Sequence, residues 1–225
     1  MPTRTTPPFD ADAPLSCDPR WRAHDLLRVA RWPHEVDTPD WLHEAFARAP
    51  FAVVRRERAA SGFVAVGFRG ATRAQRFGTW VAADAIEAAW SPEDLVAVEA
   101  LDGRIALPAF AALVKLRDTR SALHEFAWGP TGSAGFELAA RVHTATGSSD
   151  LDLLIRMPQR CEMATLRALA DTLTQTSSLV QTRIDAQLET PAGGVALAEL
   201  VAGKPRVLAR AADGARLVAD PWQTA

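Results

Sequence analysis

Residues 147–156 read GSSDLDLLIR, an apolar stretch that carries two carboxylates one residue apart. Leu151, Leu153, Leu154 and Ile155 mark it as a strand bound for a protein interior. Side chains alternate across a strand, so Asp150 and Asp152 emerge on the same face. Two anions that close repel each other and resist burial unless a positive charge lies between them. An arginine or lysine, or a metal ion, satisfies that requirement, whereas acids on an exposed face are simply solvated. No other segment restricts so tightly what can be built around it.

The segments flanking this strand alternate in type. WGPTGSAGFELAA (128–140) sets a glycine-bearing turn before a helix. The acid strand ends at Pro158. EMATLRALADTLTQT (162–176) spaces Met163, Leu166, Leu169, Ala170 and Leu173 along one helical face. LVQTRIDAQLET (179–190) alternates Ile184, Ala186 and Leu188 with Arg183, Asp185, Gln187 and Glu189, which predicts a second strand. GGVALAELVAG (193–203) predicts a short helix, and RVLARAADGARLVAD a hairpin turning at Asp213-Gly214. This order implies an α/β or α+β layer with a mixed sheet covered by helices.

Upstream, residues 1–18 are rich in Pro, Thr and Asp and are expected to form a flexible tail. PDWLHEAFARAP (39–50) predicts a helix; FAVVRRE (51–57) and GFVAVGFRG (62–70) predict a hairpin across RAAS. SPEDL (91–95) has a helix-start pattern, with Ser91 as cap and Asp94 three residues on. LPAFAALVKLRDTRSAL (107–123) reads as a helix bridging the halves. The expected division is therefore a β-containing N-terminal module over 19–118 and a second module over 119–225.

Composition narrows the function. A formal net charge of -2 argues against wholesale nucleic-acid binding. No apolar run approaches the ~18 residues of a membrane span. The N-terminus has no apolar central segment, and two cysteines, Cys17 and Cys161, do not make a disulfide scaffold or structural zinc site. The expectation is a cytoplasmic protein with no membrane partner.

A crossover of this length can set the strand bearing Asp185 beside the one bearing Asp150 and Asp152. Three carboxylates converging there suit Mg²⁺, with Mn²⁺ an alternative, and paired ions serve phosphoryl or nucleotidyl transfer. In GPTGS, Gly132 permits close backbone approach to a phosphate, and Ser133 opens a helix whose free N–H groups favour anions. No Lys-Ser or Lys-Thr follows, so this is not a Walker A loop. Simpler readings exist for each: solvated acids, Asp185 paired with a neighbouring cation, a turn glycine, a helix-capping serine.

A Gly-Ser turn, an Asp-x-Asp strand and a third acid on a later strand resemble the nucleotidyltransferase superfamily of polymerase-β type. HDLL (24–27), VVRR (53–56), VGFRG with RAQR (66–76), WGPTGSAGFELA (128–139), SSDLDLLIR (148–156), DAQLETPAGGVALAEL (185–200) and DPW (220–222) together resemble the malonate decarboxylase holo-acyl-carrier-protein synthases. That family is also called phosphoribosyl-dephospho-CoA transferase.

The resemblance implies transfer from 2′-(5″-triphosphoribosyl)-3′-dephospho-CoA to a serine of the decarboxylase's acyl-carrier subunit, with diphosphate leaving. It implies Asp150, Asp152 and Asp185 as the catalytic, metal-holding acids of a nucleotidyltransferase-like module, with Gly132 and Ser133 at the triphosphate. The N-terminal module would recognise the dephospho-CoA portion, the carrier, or both. Arg69, Arg73, Arg76 and Lys204 are then candidate phosphate partners, although ordinary surface charge also explains them. His24 and Asp25 fit a structural cap better than acid–base work. Two rival functions stay open: a nucleotidyltransferase using an ordinary nucleotide on another acceptor, and a non-catalytic carrier-binding assembly factor.

Overall fold

The computed structural model describes residues 7–31, 38–72, 74–118 and 120–223. The chain forms two compact units, residues 1–91 and 92–225. The division falls well before residue 118, because the bridging helix is not a bridge. Helix α2 (Pro108–Asp118) packs on elements of the second unit through Phe110, Leu113 and Leu116.

In the first unit, β1 is Leu15–Ser16, β2 Leu26–Val29, β3 Phe51–Val54, β4 Ala59–Ala60, β5 Phe63–Arg69, β6 Arg76–Ala82 and β7 Ile86–Trp90. Five of these make an antiparallel sheet in the order β6-β5-β3-β2-β7. Alternation along β5 sends Val64, Val66 and Phe68 to one face. There they join Leu27, Ala52, Val54, Phe77 and Val81 beneath Leu42 of helix α1 (Asp40–Arg48). The expected β3–β5 hairpin is present, with β4 inserted between its arms and paired to β1.

Of the expected tail over 1–18, residues 1–6 lie outside the described residues, and residues 7–18 are packed down through Phe9. Phe9 packs edge-on to Trp80, with ring centroids 5.7 Å apart, and lies 5.5 Å from Phe63, so burial of aromatic surface offsets the ordering of a polar segment. Asp25 caps a turn by accepting from the Arg22 N–H at 2.7 Å.

The second unit contains β8 (Trp128–Pro130), α3 (Gly132–Ala140), β9 (Leu151–Arg156), α4 (Met163–Val180), β10 (Ile184–Thr190), β11 (Gly193–Ala196), α5 (Leu197–Val201), β12 (Val207–Ala211) and β13 (Gly214–Val218). They form a mixed six-stranded sheet in the order β13-β12-β11-β10-β9-β8. Among its pairings only β9–β10 is parallel, and α4 supplies the crossover that a parallel pair requires. Leu166, Leu169 and Leu173 bury the inner stripe of α4, which packs against α2 and α5.

Two local expectations are corrected. Gly193–Ala196 continue the sheet rather than starting a helix, since pairing with β10 satisfies their backbone groups and only Leu197–Val201 turn helical. SPEDL yields a single 3-10 turn, Glu93–Leu95, and no longer helix. Glu93 instead ion-pairs with Arg156 at the end of β9, 2.7 Å away. The closing DPW motif is a clasp. Asp220 accepts from the Trp222 N–H at 3.0 Å and ion-pairs with Arg160, while the Trp222 indole N–H donates to the Met157 carbonyl at 3.1 Å.

Candidate active site

Parallel pairing sets Asp152 of β9 directly opposite Asp185 of β10. Residues opposite each other in a sheet share a face, and strands lie about 4.8 Å apart. The two carboxylates therefore rise side by side although 33 positions separate them. Asp150 stands just ahead of β9, one pleat before Asp152. All three are half-buried.

The face they share closes toward the other end of the strand. Leu154 pairs with Gly129 of β8, and a β-carbon on Gly129 would overlap the Pro92 carbonyl. The Pro92–Leu95 segment thus lies over Leu154 and Arg156 and leaves the acids at the open end.

The Gly-Ser turn arrives at the same place. Thr131 N–H donates to the Asp152 carbonyl at 2.8 Å, extending the β8–β9 ladder by one residue. Gly132 then adopts a left-handed φ of 61° and starts α3 against the Asp152 side chain. Gly132 is exposed and Ser133 half-buried, so the first turn of α3 adjoins the acid face.

Asp185 is already engaged. Arg183 donates to it through Nε at 3.0 Å and ion-pairs through Nη2 at 2.9 Å. The simpler reading of Asp185, a sheet-face acid beside a cation, thus describes its present contacts. Among the described residues, no three His, Cys, Asp or Glu side chains are gathered as a metal-holding group.

The candidate phosphate partners belong to other elements. Arg69 and Arg76 belong to the first unit, where they face each other across the β5–β6 pair. Arg73 lies outside the described residues. Lys204, after α5, is exposed and pairs with Glu199 at 3.6 Å. Cys161 is not poised as a nucleophile: burial pushes its thiol up, and its S–H lies 3.4 Å from the Met157 sulfur.

Sequence reasoning missed Glu137 and Arg104. Glu137, in the buried middle of α3, accepts from Arg104 Nε at 2.7 Å and Nη2 at 2.8 Å. It also accepts from the amides of Thr144 and Ala145, at 2.7 and 2.8 Å. Burial pushes its carboxyl up, but the guanidinium and the two amides prevail and hold it below the ordinary range. The available signal was one charged residue in the otherwise small and apolar run SAGFELAA.

Comparison with known proteins bears on the whole chain. Residues 22–92 match the family described as phosphoribosyl-dephospho-CoA transferase MdcG N-terminal domain, and residues 95–221 match its C-terminal domain. A Pseudomonas putida (strain W619) protein named phosphoribosyl-dephospho-CoA transferase is 44% identical over 204 residues, covering 88% of this chain and 94% of the relative. Proteins of the same name from Azotobacter vinelandii and Pseudomonas aeruginosa are 41% and 43% identical, each covering 93–94% of the relative and 89–90% of this chain. No solved structure matches. Among the described residues, no helix is long and apolar enough to cross a membrane.

Proposed function

Because the chain belongs to the phosphoribosyl-dephospho-CoA transferase family, we propose that it moves the phosphoribosyl-dephospho-CoA group from its 5″-triphosphate donor to a serine of the malonate decarboxylase acyl-carrier subunit. The serine oxygen forms the new bond to the innermost phosphorus, the bond from that phosphorus to the bridging oxygen breaks, and diphosphate leaves. The serine proton passes to Asp185 or to solvent. The observation that carries this reading is the Asp152–Asp185 register beside the Gly132 turn.

The donor set suits a hard cation. Carboxylate oxygens are the ligands Mg²⁺ prefers, and side chains on strands about 4.8 Å apart can share one ion. Asp150, Asp152 and Asp185 are not gathered as a metal group in their present contacts; with Asp185 released from Arg183 they would hold Mg²⁺, or Mn²⁺ in its place. Bound there, the metal supplies neutralisation of charge on the triphosphate and on the departing diphosphate. Gly132 would let the backbone approach the triphosphate closely, and Ser133 would meet it at the start of the helix. The first unit would read the dephospho-CoA portion or the carrier, with Arg69 and Arg76 as its candidate phosphate partners.

The test is mass spectrometry of the apo carrier after incubation with enzyme, donor and Mg²⁺. The added prosthetic group is expected with the wild type and absent with Asp152→Asn. Modification by D152N at the wild-type rate would remove this site from the reaction. Replacing the donor by ATP, with diphosphate release as readout, separates the nucleotide-using alternative. The Arg183–Asp185 ion pair favours one further reading, a carrier-binding factor without turnover. Absence of any metal-dependent turnover across a Mg²⁺ titration would select it.

A further inference from the structure

Among the described residues of the second unit, Glu137 is the one fully buried acid, and the proposed reaction does not use it. Its carboxylate joins three stretches of chain. One is α3, which begins at Gly132. Another is Arg104, whose Nη2 also donates to the Ala145 carbonyl at 2.6 Å. The third is the loop holding Thr144 and Ala145, which runs directly into Asp150.

Net stability does not explain such a pair. Removing two charges from water is costly, and apolar groups of the same volume commonly serve a core as well or better. An arginine–carboxylate fork adds direction instead, because its two parallel bonds fix orientation as well as distance. Here the fork and the two amides fix the loop's path relative to α3. We infer that Glu137, acting with Arg104, is a positioning residue that sets the spacing between the Gly132-Ser133 turn and the strand that follows Asp150. The inference rests on the proposed use of that turn and strand, and Glu137 itself touches no substrate.

The experiment compares Glu137→Gln, Glu137→Asp and Arg104→Lys with wild type and Asp152→Asn. It measures KM for donor and for carrier, kcat, thermal midpoint, and Mn²⁺ affinity from the spectroscopic signal of the free ion. Because Glu137 acts through the loop and not on a ligand directly, its loss is expected to raise the donor KM and weaken Mn²⁺ binding by about 10-fold, the low end for partners bonded to the ligands, with the carrier KM unchanged. E137D keeps the charge but shortens the reach, so it should show the same shift in donor KM with a higher thermal midpoint than E137Q. R104K keeps a charge while losing the fork; it carries the same expectation should both Glu137 variants fail to fold. Wild-type donor KM and Mn²⁺ affinity in the folded variants would overturn the inference and make the pair a structural counter-ion. Transfer and Mn²⁺ binding that persist in D152N would instead overturn the reading of the site.

Discussion

Gly132 and Asp152 are packed so closely that a side chain at 132 would have to displace the acid: a β-carbon there would overlap Oδ2 of Asp152 and stand 2.9 Å from its Cγ. The left-handed backbone at Gly132 adds a second obstacle, since φ is 61°. Gly132→Ala therefore disturbs the acid itself as well as the turn. The expected result is a loss of about 1–3 kcal/mol in stability together with loss of transfer, checked by denaturant unfolding and carrier modification.

Arg183 and Asp185 form an exposed pair, so breaking it leaves stability almost unchanged, within about 1 kcal/mol. The same change frees the Asp185 carboxylate. Arg183→Ala is expected to lower the Mg²⁺ concentration needed for half-maximal transfer by about two- to fivefold, the factor that corresponds to a pair of that strength. A Mg²⁺ titration of both proteins, with thermal melts alongside, checks this.

Glu137 gives the fold an acid-side dependence. Its folded carboxyl lies below the ordinary value, so the unfolded chain binds more protons in that range. Its stabilisation is complete above the unfolded value, near about 4.3, and is lost as pH falls through the lower folded value. Thermal midpoints of the wild type should drop through that window, whereas Glu137→Gln should follow a flatter curve there from a lower start. Melts between neutral pH and about pH 3 measure the difference.

The DPW clasp should prove structural only. Trp222→Phe leaves the Met157 carbonyl without its indole donor, a loss of about 1–2 kcal/mol. The change lies at the opposite end of β9 from the acids, so transfer per folded molecule stays at the wild-type level. Denaturant midpoints and active-fraction-corrected rates check both halves of the expectation.

Legibility in the sequence tracked how local the cause was. α1, β5, β9, α4 and the β12–β13 hairpin follow from short-range periodicity and turn residues, and all appear close to where these signals put them. Pairing Asp185 with Asp152 needed only two strands and a crossover long enough to make them parallel. What escaped depended on distant partners. Gly193–Ala196 became a strand because β10 offered an edge, and the division at 91–92 reflects where α2 packs. Arg183's grip on Asp185 and the Glu137–Arg104 fork are side-chain choices that no spacing rule encodes.

Met157, where the Trp222 indole anchors, follows Asp152 by five residues along an extended strand, about 16 Å at the usual rise. A dye coupled to a cysteine at exposed Gln223, in a background with Cys17 and Cys161 both replaced by serine, would therefore sit beside that anchor, at the end of the strand away from the acids. That position offers a fluorescence handle for watching the carrier dock and depart during turnover without obstructing the chemistry it reports.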